Sequence, residues 1–145
     1  LRKTEKKDTL KNIEFTRDFV INIVDEPLIK QAVQAANEYP PEVDEIKEVG
    51  LTAIKSDKVK SPRIAEAKVN LECKLVQKLE ILEEIREGEG LRAIVFGEVV
   101  LAHIKDEVWA NGKIDPARLK IIGRVGQNVY CRTHDMFELK RISSI

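Results

Sequence analysis

Three stretches carry side chains whose types and spacing could do chemistry. Lys7-Asp8-Thr9 stands where a loop enters a helix, and helix-start amides, a hydroxyl and an ammonium together suit a phosphate group. The same residues suit a plainer use, in which Asp8 or Thr9 caps the helix and Lys7 is solvated. Gly123-Arg124-Val125-Gly126, followed by Asn128, Tyr130 and Arg132, is the second stretch. Two glycines let a backbone approach a flat ligand, Arg124 and Arg132 can meet negative charge, and Tyr130 can stack. The plainer alternative makes the glycines turn residues and the arginines surface residues. No third glycine opens a long helix, so this is not a dinucleotide fingerprint.

The third stretch holds Cys131, His134 and Asp135. Nucleophilic triads are assembled in space rather than along the chain, so a packed thiol is the default here and no catalytic side chain is assigned. His103 ends an apolar segment and reads as a packed or exposed side chain. With two histidines and no acidic cluster beside either in sequence, no metal site is expected.

The elements that must position these residues are read from periodicity. Val69, Leu71, Cys73, Leu75, Leu79 and Ile81 alternate with Asn70, Glu72, Lys74, Lys78 and Glu80, which predicts a strand with one buried face. Leu91 to Ile104 is apolar on both faces for most of its length, which predicts a strand covered on both sides. The acidic stretch Glu83 to Gly90 between them reads as a solvated hairpin loop. Upstream, Leu10 and Ile13 mark a short helix and Phe19 to Val24 a β-branched strand. Asp25 and Pro27 open a second helix, with Leu28, Ile29, Ala32, Val33 and Ala36 on one face, broken at Tyr39-Pro40-Pro41. Val43, Ile46 and Val49 give a third, stopped by Gly50 as a left-handed cap, and Leu51 to Lys60 reads as irregular or weakly extended. Downstream, Asn111-Gly112 is a tight-turn signal and Asp115-Pro116 a cap with a first helical residue. A final strand covers Asn128 to Arg132. Trp109 reads as a packing residue.

The chain has 145 residues, the size of one domain, with no repeat or linker that would divide it. Lysine plus arginine equals aspartate plus glutamate at 25 each, and aromatics make up 5%. A groove for single-stranded nucleic acid needs basic residues and stacking platforms, so no nucleic-acid partner is expected. No apolar run reaches the length of a membrane span, and no membrane partner is expected. Cys73 and Cys131 are far apart in sequence, which fits a reducing, cytoplasmic setting. The first residue is not methionine, so a preceding segment is expected.

Several segments taken together resemble the flavin reductase-like family, the FMN-binding split β-barrels that include flavoredoxin-like proteins and archaeal ferric reductase. The similar stretches include Lys7-Asp8-Thr9-Leu10-Lys11-Asn12-Ile13, Phe19-Val20-Ile21-Asn22-Ile23, Tyr39-Pro40-Pro41, Pro62-Arg63-Ile64-Ala65-Glu66, Leu71-Glu72-Cys73, Phe96-Gly97-Glu98-Val99-Val100 and Gly123 to Tyr130. They occur in the family's order and span nearly the whole chain.

The resemblance implies a mainly β fold with peripheral α-helices, a split β-barrel of the FMN-binding type, over residues 1–145. It implies a homodimer with FMN near the subunit interface and NADH or NADPH as hydride donor. Lys7, Thr9 and Asn12 are then implied in the phosphate grip, with Gly123, Arg124 and Tyr130 towards the flavin or the dimer contact. The flavin carries the chemistry in such proteins, with flavin, ferric iron or a small redox protein as acceptor. A non-catalytic flavin-binding module of the same fold is the alternative. Two features depart from the family: its members carry a further segment before the Lys-Asp-Thr stretch, and Gln127 stands where a second glycine is usual.

Overall fold

A computed structural model describes residues 6–40, 42–81, 92–133 and 135–140. In chain order the elements are α1 (Asp8–Thr16), β1 (Asp18–Asn22), α2 (Ile29–Ala35), α3 (Glu45–Glu48), β2 (Ala53–Ile54), β3 (Arg63–Ile64), β4 (Val69–Ile81) and β5 (Arg92–Ile104). A turn of 3₁₀ helix (Asp106–Val108), β6 (Trp109–Ala110), β7 (Lys113–Ile114), α4 (Pro116–Leu119), β8 (Ile122–Gly126) and β9 (Val129–Arg132) follow. The fold is therefore mainly β with a few helices. β1, β4 and β5 form an antiparallel sheet with β4 in the centre, and β2–β3, β6–β7 and β8–β9 are two-stranded antiparallel pairs.

The predicted strand pair forms, but its faces differ from the predicted ones. Asn70 and Glu72 are buried at 3% and 0% exposure, because the backbone of the 56–64 segment covers that face. The cover is held by polar side chains of β1 and β4. Asp18 accepts hydrogen bonds from the amides of Lys60 and Ser61, both at 3.0 Å, and from the Ser61 hydroxyl at 2.7 Å. Asn22 Oδ1 accepts from the Ile64 amide at 3.0 Å and from Asn70 Nδ2 at 2.7 Å, and Asn70 also donates to the Ile64 carbonyl at 3.0 Å. Glu72 accepts from the amides of Asp57 at 2.8 Å and Lys58 at 2.6 Å. Buried polar groups are tolerated where each has such a partner.

A register shift between Leu75 and Gln77 changes the sides of the far half of β4. Leu79 is consequently exposed, while Lys78 meets α1 and Glu80 meets Lys6 just before it. There Lys78 pairs with Glu14 and, at 2.5 Å, with Glu80; Lys6 pairs with Glu14 at 2.8 Å and with Glu80 at 3.3 Å. The acidic partners push the Lys78 ammonium up, and Lys6 and Lys78 pull the Glu14 carboxyl down. The expectation that β5 is covered on both sides is corrected as well. β5 lies at the edge of the sheet, and Ile94, Phe96 and Val99 are exposed.

Two apolar clusters flank the sheet, Leu28 with Ile64 and Ala67, and Val69 with Val108 and Leu119. Local signals hold where the chain's own chemistry decides. Asn111 and Gly112 take positive φ of 52° and 74° in the β6–β7 turn, Gly50 ends the α3 segment at φ 71°, and Asp115 accepts from the Ala117 amide at 2.9 Å to cap α4. Trp109, predicted to pack, is exposed. The expected Glu83 to Gly90 loop lies outside the described residues.

Gly97 faces Leu75 across the sheet, and a Cβ there would come within 2.4 Å of the Phe19 ring and 3.2 Å of Cys73 Cβ. Gly97→Ala should therefore cost about 1–3 kcal/mol through displacement of Phe19, read by urea unfolding. An unchanged midpoint would show that Phe19 does not pack there.

Glu72 makes the fold acid-sensitive. Burial raises its carboxyl, but the Asp57 amide, the His103 imidazole at 2.6 Å and the Lys58 amide outweigh burial and hold it at about 2. A carboxyl lowered in the folded state stabilises above its unfolded value, and that contribution is lost as pH falls from about 4.5 towards about 2. Glu72→Gln turns an amide nitrogen towards donors and should cost about 3 kcal/mol at neutral pH. It should also flatten the stability–pH curve between pH 5 and pH 2; denaturant melts across that range check both.

Candidate functional site

The two predicted ligand-contacting stretches line neighbouring clefts on either side of α2. Lys7 occupies the N-cap position of α1 with φ −58° and ψ 146°, and no side chain caps the helix. The plainer reading, with Asp8 or Thr9 as cap, is thus not what forms, because the helix begins one residue earlier. Its first turn opens on a cleft of about 490 Å³ lined by Lys7, Asp8, Thr9, Asn37, Tyr39 and Glu45, among others. Asp8, Glu38 and Glu45 place three carboxylates beside the single Lys7 ammonium. Lys11 neutralises Asp8 at 2.8 Å. Asn12 faces solvent one turn further on and does not line this cleft; its carbonyl accepts the Thr16 hydroxyl at 2.9 Å.

The second cleft, about 210 Å³, lies between α2 and the β8–β9 hairpin. Val24, Ile29, Ala32, Val33, Ala36, Ile122, Arg124 and Tyr130 form its walls. Ala36 borders this cleft and the α1 cleft alike, so the C-terminal end of α2 is the partition between them. Arg124 lies over the Tyr130 ring at 5.9 Å from its centroid and donates to the carbonyls of Gly126 at 3.3 Å and Gln127 at 2.7 Å, which holds the hairpin turn. A Cβ on Gly123 would meet Cys131 Sγ at 2.9 Å. That glycine makes room for a cross-strand side chain, and it does not line the cleft.

Tyr130 also borders a third and larger cleft of about 740 Å³ between α2, α4 and the hairpin. It was not anticipated, because its walls come from residues far apart in sequence, among them Lys30, Lys68, Lys120 and Arg132. Asp25 does not line it but anchors one of its walls through Lys68. Buried at 2% exposure, it pairs with Lys68 at 3.1 Å and accepts the Leu28 amide at 3.1 Å to start the α2 turn. The amide of Glu26 donates to the Lys120 carbonyl and that of Ile122 to the Val24 carbonyl, both at 3.2 Å, docking the hairpin beside α2.

Sequence proximity also failed to show the surroundings of His103. Folding brings it to Glu72 at 2.6 Å and Asp57 at 3.9 Å, and ligand atoms of the three lie within 4.8 Å of one another. Both Glu72 oxygens already accept backbone amides, so the group acts as a staple for the 56–61 segment. Of the Cys131, His134 and Asp135 stretch, Cys131 is exposed, Cys73 is buried, neither is in a disulfide, and His134 lies outside the described residues.

Comparison with known proteins gives these clefts a setting. The flavin reductase-like domain matches residues 3–118, so the chain belongs to the flavin reductase-like family, whose members are oxidoreductases. A protein of unassigned function from Aquifex aeolicus is 35% identical over 135 residues, covering 92% of this chain and 65% of that protein. Component B of nitrilotriacetate monooxygenase from Bacillus cereus superposes with a TM-score of 0.84 at 29% identity, covering 94% of this chain and 66% of that one. The 2-nitrobenzoate 2-nitroreductase of Pseudomonas fluorescens superposes with a TM-score of 0.80 at 29% identity, covering 95% and 66%. The chain thus spans about two thirds of the length of these relatives. Gly123, Arg124 and Tyr130 lie beyond the matched domain residues. No helix among the described residues is long and apolar enough to cross a membrane.

Proposed function

We propose that this chain is the flavin-binding part of a cytoplasmic FMN-dependent oxidoreductase of the split-barrel type, taking hydride from NADH or NADPH and passing electrons to flavin, ferric iron or a small redox partner. The observation that carries this is the uncapped start of α1, opening on a cleft in a chain of the flavin reductase-like family. Helix-start amides, the Thr9 hydroxyl and the Lys7 ammonium are a donor set that fits a phosphate monoester. Lys7 and Thr9 would hold the FMN phosphate, and the apolar face of α2 with Tyr130 and Arg124 would border the ring. Bound FMN would supply the hydride acceptor and the electron store that no side chain here offers. The protein's task is positioning, and α1 is held for it by the Lys6, Glu14, Lys78 and Glu80 cluster.

The chain acts as one domain and as a homodimer. Support comes from an apolar surface on the β4–β5 ribbon, where the facing pairs Leu79 with Ile94 and Gln77 with Phe96 put three large apolar side chains at 44–50% exposure. Surfaces of this kind mark interaction sites. Phe96→Lys should halve the mass seen by analytical ultracentrifugation, and a wild-type chain that sediments as a monomer would refute the dimer.

The purified chain should be yellow, or become so with FMN, and its flavin bands should bleach with NADH or NADPH. A chain that takes up no FMN would sink the proposal, whereas bound FMN that neither nicotinamide reduces would favour a non-catalytic binding module. Thr9→Ala and Lys7→Ala should each weaken FMN binding about tenfold, the scale of one charge-assisted hydrogen bond. Because neither side chain caps α1, both should melt like the parent chain.

A further inference from the structure

A fourth cleft, of about 250 Å³, lies beside β3 and the end of β5, with Arg63, Lys68, Asn70, His103 and Lys105 in its walls. Among the described residues no carboxylate lines it. Over the whole chain the two signs balance at 25 each, so three cations and an imidazole around one small space are a local accumulation. The cleft shares no residue with the α1 cleft or with the one between α2 and the hairpin. Its basic groups differ in what already holds them. Lys68 is balanced by Asp25 at 3.1 Å, and His103 is tied through Nε2 to Glu72 at 2.6 Å. Lys105 is exposed and reaches the Glu66 carbonyl at 3.3 Å. Arg63 makes no ion pair among the described residues, and its Nε is buried with no acceptor. A buried donor left unmade is costly, and a guanidinium fork matches an oxyanion.

The walls are fixed by main-chain bonds, which cuts the ordering cost of binding. Arg63 stands on β3, which pairs with β2 at Ile54 and is tied to β4 by Asn70, whose Nδ2 donates to the Ile64 carbonyl at 3.0 Å. The Lys105 amide donates to the Lys68 carbonyl at 3.0 Å, which holds the end of β5 beside the start of β4, and Asn70 faces His103 in the β4–β5 register. Both hydrogens of the Asn70 amide nitrogen are committed, to Asn22 at 2.7 Å and to Ile64. The donors left for a ligand are therefore those of the cations. A space of about 250 Å³ falls below the roughly 300–1,000 Å³ of sites for whole small molecules, so it suits one small anionic group and not a nucleotide.

From the orphaned Arg63 donor and the carboxylate-free lining we infer that this cleft binds a single phosphate-sized dianion, at a site separate from the flavin. Arg63 supplies the fork, and the Lys105 and Lys68 ammonium groups supply point charges; Lys68 has three donors and keeps Asp25 while it does so. Free phosphate and the phosphate end of a small ester offer the same chemistry. The site goes beyond the proposed function and stands whether or not the chain holds FMN.

Isothermal titration of the full chain with inorganic phosphate, at constant ionic strength in chloride, tests the inference. Excess FMN in a second titration keeps the α1 cleft from contributing. One phosphate should bind per chain with the same affinity in both titrations, and sulfate should compete with it. Lys105→Gln should raise the phosphate dissociation constant about tenfold, the scale of one charge-assisted hydrogen bond, and Arg63→Gln should raise it further. Lys105 is exposed, so its variant decides the matter if Arg63→Gln fails to fold. Glycerol phosphate separates the two sources: binding tighter than that of phosphate assigns the site to an ester, weaker binding to the free ion, and either supports the site. Three results overturn the inference. They are a chain that binds no phosphate, so that Arg63 finds its acceptor elsewhere in the protein; loss of phosphate binding in excess FMN, which makes the anion site the flavin's own; and unchanged phosphate affinity in the Lys105 variant. Phosphate binding in a chain that takes up no FMN would refute the proposed function and leave this site standing.

Discussion

The structure depends on a row of polar side chains on one face of β1 and β4, the buried Asp18, Asn70 and Glu72 and the half-buried Asn22. Each accepts or donates hydrogen bonds to backbone of the 56–64 segment, which has little apolar surface of its own with which to pack. Without those bonds the segment would leave the sheet, and β2 and β3 with it. In low-dielectric surroundings such bonds are strong when complete and costly when broken. Asp18 and Glu72 therefore remain ionised inside the fold, their carboxyls lowered by the amides they accept against the opposing effect of burial.

That row fixes where the clefts lie. It holds β3, and so Arg63, against the start of β4, where Lys68 reaches Asp25 and Asp25 in turn starts the α2 segment. α2 separates the α1 cleft from the hairpin clefts, and the main-chain bonds of Glu26 and Ile122 hold the hairpin to it. The large cleft between α2, α4 and the hairpin is thus positioned by buried groups, whereas α1 beside its own cleft is held by the partly exposed Lys6, Glu14, Lys78 and Glu80 cluster.

Much of the fold was legible locally. The 13-residue strands β4 and β5, the Asn111-Gly112 turn, the Gly50 stop and the Asp115 cap all follow from neighbours in sequence. The side-chain directions of β4 were not. Asn70 and Glu72 obey a period-two rule that places polar residues in solvent, but a covering segment with hydrogen-bonding backbone makes the polar face an inside face. Leu79 obeys the same rule for burial and is exposed, because a bulge turns the strand over halfway. Family resemblance pointed to Lys7 and Thr9 at the α1 cleft and to Arg124 and Tyr130 at the hairpin clefts. It also pointed to Asn12 and Gly123, which line none of these clefts.

By itself the sequence determined the long strands β4 and β5, the Asn111-Gly112 turn and the helix stops, but not the short strands β2, β3 and β8, and its ordered motifs determined the flavin reductase-like family. Tertiary structure alone decided that His103 meets Glu72 and Asp57, and that α2 divides the α1 cleft from the hairpin. It alone gathered cations from α2, α4 and β9 into one cleft. The reason is physical. Strand and turn signals act over a few residues through backbone conformation, whereas charge accumulates in a cleft only after elements distant in sequence have been docked by buried hydrogen bonds.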